Sequence, residues 1–178
     1  NFGYDVDYWV STLKNAEDTA AVDSAVLGAE SDYNTAVSNR DAFNQAVSDA
    51  KEALQDSNTT LLYYGYNKNY WVDQINNATS IENVNDLLVQ ANSSWLLAST
   101  KDDRVSNLPV QEIDGVSLLT YGYNRNDFVS QISLAVSVEE INNMSPNQLK
   151  VYAFDKLDLN EISFNSDIHA SAEYRASL

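Results

Sequence analysis

The chain has 178 residues, a formal charge of −16 and a pI near 4.1, so the phosphate backbone of nucleic acids and anionic lipid surfaces would both repel it. It has no cysteine, which excludes disulfides, thiolate metal sites and thiol nucleophiles. No run approaches the roughly 18 apolar residues of a membrane span, and a basic, apolar or glycan partner fits this charge better.

From the N-terminus, the segment Gly3-Tyr4-Asp5-Val6-Asp7-Tyr8-Trp9-Val10 recurs as Gly65-Tyr66-Asn67-Lys68-Asn69-Tyr70-Trp71-Val72 and as Gly122-Tyr123-Asn124-Arg125-Asn126-Asp127-Phe128-Val129, with the glycines 62 and 57 residues apart. The second and third copies match without a gap from Leu61 to Ile75 and from Leu118 to Ile132. Spaced self-similarity marks a chain of repeated units, which as a rule bind or space rather than catalyse.

Each copy reads as helix punctuation. In copy one, Leu13 stands where the others have isoleucine, and Asp18 is placed to cap the next helix. Phe43, Ala46, Val47, Ala50 and Leu54 then form an apolar stripe, which predicts a long helix leading into copy two. There, Trp71, Val72, Ile75 and Ala78 share a helical face, with Trp71 expected inside and Tyr70 partly exposed. Thr79 or Ser80 is the expected cap of a third helix, with Glu82 in capping-box position to Thr79. Ile81, Val84, Leu88, Ala91 and Trp95 continue the pattern.

Lys101-Asp102-Asp103-Arg104 and Ser106-Asn107-Leu108-Pro109 read as a linker, because proline stops a helix running into it. In copy three, Ser137 and Glu140 repeat the capping box, and Asn142-Asn143-Met144 interrupts the helix. Ser145-Pro146 reads as a fresh helix start, Leu149, Tyr152, Ala153 and Leu157 fit its continuation, and no structure is assigned after Asp158. The expected fold is all-α: tandem three-helix-bundle modules with an irregular C-terminal segment. The expected divisions are 1–38, a partial first repeat with helices 2 and 3; 39–100, a second three-helix module; and 101–178, a third, divergent module with a C-terminal extension.

Catalytic chemistry has little to stand on. His169 is the single histidine and lies in the irregular tail, so a Ser-His-Asp relay would have to assemble around it there. The pairs Glu139-Glu140 and Asp102-Asp103 fall at caps and linkers, where solvation and helix-dipole complementation account for them. Asp155, Asp158, Asn160 and Glu161 are loosely calcium-like but lack the glycine and spacing of an EF-hand loop. No catalytic residue, metal site or cofactor is therefore expected. Asn-x-Ser/Thr sequons occur at Asn58, Asn77, Asn92 and Asn143, at the frequency this composition gives by chance.

The run from Asn69 to Leu87 combines an aromatic pair, Ile75-Asn76-Asn77-Ala78, a small hydroxylated residue and Ile81-Glu82-Asn83-Val84-Asn85-Asp86-Leu87. It resembles helices 2 and 3 of the GA module, the albumin-binding three-helix unit of Gram-positive bacterial surface proteins. Arg125 to Asn142 carries the same resemblance through Ile132, Ala135, Ser137, Val138, Glu139, Ile141 and Asn142; copy one keeps Leu13, Ala16 and Val22. The resemblance implies a left-handed bundle on an extracellular, cell-wall-attached protein, binding through the second helix and the start of the third. Carried over by position, the ligand-binding candidates are Tyr70, Trp71, Gln74, Asn77, Thr79, Glu82 and Asn83, with Asp127, Phe128 and Gln131 in copy three. Basic residues typical of the family's contact surface are replaced by Asn, Gln and Asp. The expected function is a non-enzymatic adhesin segment, monomeric and part of a longer chain, that engages a host or environmental protein such as serum albumin. Two alternatives stand beside it: a structural stalk, and glycan binding through the repeated aromatics.

Overall fold

The repeated Gly-Tyr-Asx tripeptide is where one helix ends and the next begins. Gly65 and Gly122 take φ of 97° and 82°, a left-handed conformation that costs other residues a Cβ clash. Gly65 N–H donates to the Leu62 carbonyl and Tyr66 N–H to that of Leu61; Gly122 and Tyr123 donate in the same way to Leu119 and Leu118. This is the Schellman pattern, which satisfies the last carbonyls of a helix. The tyrosine that follows is buried in both copies. The next residue caps the following helix: Asn67 Oδ1 accepts from the N–H of Asn69 and Tyr70, Asn124 from Asn126, and Asp5 from Tyr8.

The computed structural model describes residues 2–113 and 115–144. In order they form α1 (Val6–Lys14), α2 (Thr19–Ala53), α3 (Thr59–Tyr63), α4 (Lys68–Asn76), α5 (Ile81–Ser106), β1 (Glu112–Ile113), β2 (Val116–Ser117), a 3₁₀ turn (Leu118–Tyr121), α6 (Arg125–Leu134) and α7 (Val138–Asn143). The fold is all-α. Among the described residues the one extended pairing is a two-residue antiparallel ladder, with Glu112 opposite Ser117.

Two helices are longer than the repeat pattern anticipates. α2 runs 35 residues without a break, so copy one's third helix and copy two's leading helix are a single rod. α5 likewise runs 26 residues, and Lys101 to Arg104, read from sequence as linker, are helical. The cause lies in local chemistry: neither segment holds proline, and Leu108-Pro109 acts only after Ser106 has closed the helix. The boundaries expected at 38/39 and 100/101 therefore fall inside helices.

The chain divides into two compact units, one formed by residues up to 57 with 67–94, the other by 58–66 with the chain from 95 onward. In the first unit, Ala50 and Leu54 from the end of α2, Ile75 from α4, and Val84 and Ala91 from α5 make a buried cluster, flanked by Phe43, Val47, Trp71 and Leu88. Three helices close around this core, as the stripe predicts. In the second unit, Leu108, Tyr123 and Ile132 are the cluster, with Val105, Phe128, Val129 and Met144 packed against it. The expectations that fall on 145–178, including the helix from Ser145-Pro146, the calcium-like cluster and His169, lie outside the described residues.

Candidate protein-binding face

The face begins with a cap. Ser80 Oγ accepts from Asn83 N–H at 3.1 Å, and Asn83 Oδ1 accepts from Thr79 N–H at 3.3 Å. This corrects the capping-box expectation: Ser80 is the cap, and Asn83, not Glu82, reaches back. Copy three keeps the arrangement, Ser137 Oγ accepting from Glu140 N–H and Glu140 Oε2 from Val136 N–H. The Ser80 and Asn83 bonds cap the start of α5 at the bend that follows α4.

On that face Tyr70 is exposed, its ring edge-on to Trp71 with centroids 5.1 Å apart. Trp71 packs against the core, so the pair divides as its helical offset requires. Gln74 is half-buried and Asn77 exposed, and both share the Tyr70 side at steps of four and seven. Asn77 Nδ2 donates to the Asp73 carbonyl at 2.8 Å, which fixes its amide at the helix end. Thr79 and Glu82 are exposed and Asn83 is half-buried in its cap. Beside Thr79, Ser80 and Ile81 lies an open cleft of about 350 Å³, lined also by Phe2, Gly3, Asn39 and Phe43. Its walls pair aromatic rings with amide and hydroxyl groups, which suits a small apolar side chain flanked by hydrogen-bonding groups.

In copy three, Asp127 and Gln131 are exposed, while Phe128 stacks on Tyr123 with centroids 5.8 Å apart and packs in the core. The outward aromatic is thus present at Tyr8 and Tyr70 but replaced by Asp127 in the third copy. Trp71 and Phe128 serve the cores of their units, and the outward candidates are the polar residues around Tyr70.

The second unit carries a polar network that sequence reasoning missed. Lys101 is the one buried charged residue among those described, and its Nζ donates to the Ser133 carbonyl at 2.8 Å, in the last turn of α6. A cation there complements the helix dipole. Burial lowers its pKa from the ordinary lysine value, against the opposing pull of Glu140. Arg104 donates to the Met144 carbonyl and Arg125 to that of Val105. Gln111 bridges the Tyr123 carbonyl and the Arg125 N–H, and Tyr123 Oη donates to the Pro109 carbonyl at 2.6 Å. Burial first, then the Asp102 carboxylate, pushes the Tyr64 phenol up; burial does the same to Tyr123. The helical continuation of α5 was the missing signal, since only a helix carries Lys101 inward.

Comparison with known proteins bears on the first unit. Residues 36–89 match the family model of the GA-like domain. The matched span begins in the second half of α2 and ends in α5, so it takes in all three helices around the buried cluster of Ala50, Ile75 and Val84. The matched segment is helical and contains every candidate named in copy two. No match was found among curated proteins or among solved structures. No helix among the described residues is long and apolar enough to cross a membrane, and no cluster of three or more potential metal ligands occurs among them.

Proposed function

We propose that this chain is a non-enzymatic part of a bacterial cell-surface protein whose GA-like segment captures a host or environmental protein on the outer face of α4 and the first turn of α5. The observation that carries this reading is the coincidence of the GA-like match with an exposed tyrosine among amides. Tyr70 stands outward beside Gln74 and Asn77, and the Ser80–Asn83 cap presents Thr79 and Glu82 at the bend. An exposed tyrosine supplies contact area at low entropic cost, and amides supply adaptable hydrogen bonds. Serum albumin is the partner that the family resemblance brings forward. Immobilised serum albumin tests it with the whole chain: binding that disappears in a Tyr70→Ala, Gln74→Ala variant of unchanged stability supports the reading, and no binding at high micromolar concentration overturns it for albumin.

One observation favours a spacer role beside this. α2 carries copy one's third helix and copy two's first helix in one rod of 35 residues, about 52 Å long at 1.5 Å per residue, and such sharing suits a repeat that extends a stalk. Glycan capture through a regular aromatic ladder has less behind it, because Tyr66 and Tyr123 are buried and position 127 is aspartate.

A further inference from the structure

The three copies can be compared position by position, because Asp18, Ser80 and Ser137 cap equivalent helices. In copy two, Ile75 and Val84 are each 0% exposed; in copy three, Ile132 and Ile141 are 1% and 0%. Their equivalents in copy one, Leu13 and Val22, are 37% and 39% exposed. Two outward pairs differ little: Tyr8 and Tyr70 are 57% and 53% exposed, Leu27 and Val89 67% and 64%. The excess exposure of Leu13 and Val22 thus falls on positions that form the bundle core in the other two copies. What covers Ile75 and Val84 is the leading-helix stripe of Phe43, Val47, Ala50 and Leu54. Copy one has no described counterpart of that stripe.

The two helices are nonetheless already assembled. Trp9 lies on Gly28 so closely that a Cβ there would sit 2.5 Å from the indole, and Trp9 Nε1 donates to Asp32 Oδ2 at 3.2 Å. α1 has no fully buried residue, yet it is pinned to α2 through Trp9, with Leu13 on the same side left exposed.

We propose that this face of α1 and the first half of α2 is the docking site for an amphipathic helix from a further repeat of the same kind. The occupant is defined by two observations. The face is continuous with an established interface, since the same α2 goes on to supply Ala50 and Leu54 as the leading stripe of copy two, so a helix of that kind ends with the chemistry required. Charge sets one more position. In copy two, Lys51 Nζ donates to Asn76 Oδ1 at 3.1 Å, and Lys14 occupies the place of Asn76 in copy one. The occupant therefore carries an acidic residue where the copy-two stripe has Lys51.

The test grafts a second copy of residues 39–64, bearing Lys51→Glu, directly before Gly3 of the full chain, replacing the first two residues and reproducing the copy-two connection. Tethering places the helix at an effective concentration of about millimolar. Amide hydrogen exchange over α1 is expected to slow by about tenfold or more, by less when the graft keeps lysine at that position, and to return to the ungrafted rate with Leu13→Asp. Leu13→Asp should lower the melting midpoint of the ungrafted chain by no more than Leu13→Ala does, so that a loss of protection seen only in the grafted chain reports lost docking rather than misfolding. Unchanged α1 exchange in the grafted chain overturns the proposal. So does concentration-dependent self-association of the ungrafted chain that Val22→Asp abolishes, which would assign the face to a second copy.

Discussion

Gly65 and Gly122 hold φ values that an L side chain adopts at a cost of about 1–2 kcal/mol. Gly65→Ala and Gly122→Ala are each expected to lower stability by about that amount in urea unfolding, and asparagine at either site by less, because Asn tolerates the left-handed region. The tyrosine after each glycine works inward. Tyr123→Phe removes the 2.6 Å bond to the Pro109 carbonyl and should cost about 1 kcal/mol at neutral pH. The phenol's pKa is raised by burial from 10.0 in the folded chain, so above about pH 10 the unfolded chain loses its proton first and the folded state's advantage falls. Urea midpoints of wild type and Tyr123→Phe should therefore converge as pH rises through that window; a gap that widens would contradict the assignment. Core position matters in the same graded way. Ile75→Ala should cost about 2–5 kcal/mol, as a fully buried aliphatic does, and Leu13→Ala distinctly less.

At the scale of elements, the seat of α1 on α2 offers a test in which the sign decides. Alanine normally stabilises an exposed helix interior by about 0.5–1 kcal/mol over glycine, but at Gly28 its Cβ would meet the Trp9 ring. Gly28→Ala should then destabilise α1 packing by about 1–3 kcal/mol. In a Trp9→Ala background the same substitution should become neutral or stabilising, read by thermal unfolding of the four chains of the cycle. The sequence made the helix starts legible, since Asp18, Ser80 and Ser137 are short polar residues before apolar periodicity, and each caps as its chemistry requires. It hid the fusions. α2 and α5 contain no stop signal at the repeat boundaries, and a charged run such as Lys101-Asp102-Asp103-Arg104 looks like linker until helical phase carries Lys101 inward and leaves Asp103 exposed. The reversal of Glu82 and Asn83 at the cap was equally hidden, because it turns on whether Thr79 or Ser80 leads, a shift of one residue that composition does not resolve. Of the candidate face, Tyr70 outward and Trp71 inward were readable from periodicity; the cleft against Phe2 and Phe43 was not, since it joins residues distant in sequence.

For the whole molecule, a formal charge of −16 shapes any encounter more than it shapes the fold. Serum albumin is itself acidic, so like-charge repulsion should slow association at low ionic strength. Raising salt from about 20 mM to about 150 mM shortens the Debye length to about 8 Å and should strengthen binding. Attraction that weakens with salt would instead point to a basic partner. The most direct measurement is isothermal titration of the whole chain with serum albumin at physiological salt, beside the Tyr70→Ala, Gln74→Ala variant, with melting curves for both. The account predicts saturable binding by wild type and its loss in a variant that melts as wild type does. No heat at high micromolar concentration, or equal binding by the variant, would contradict the assignment of the α4–α5 face.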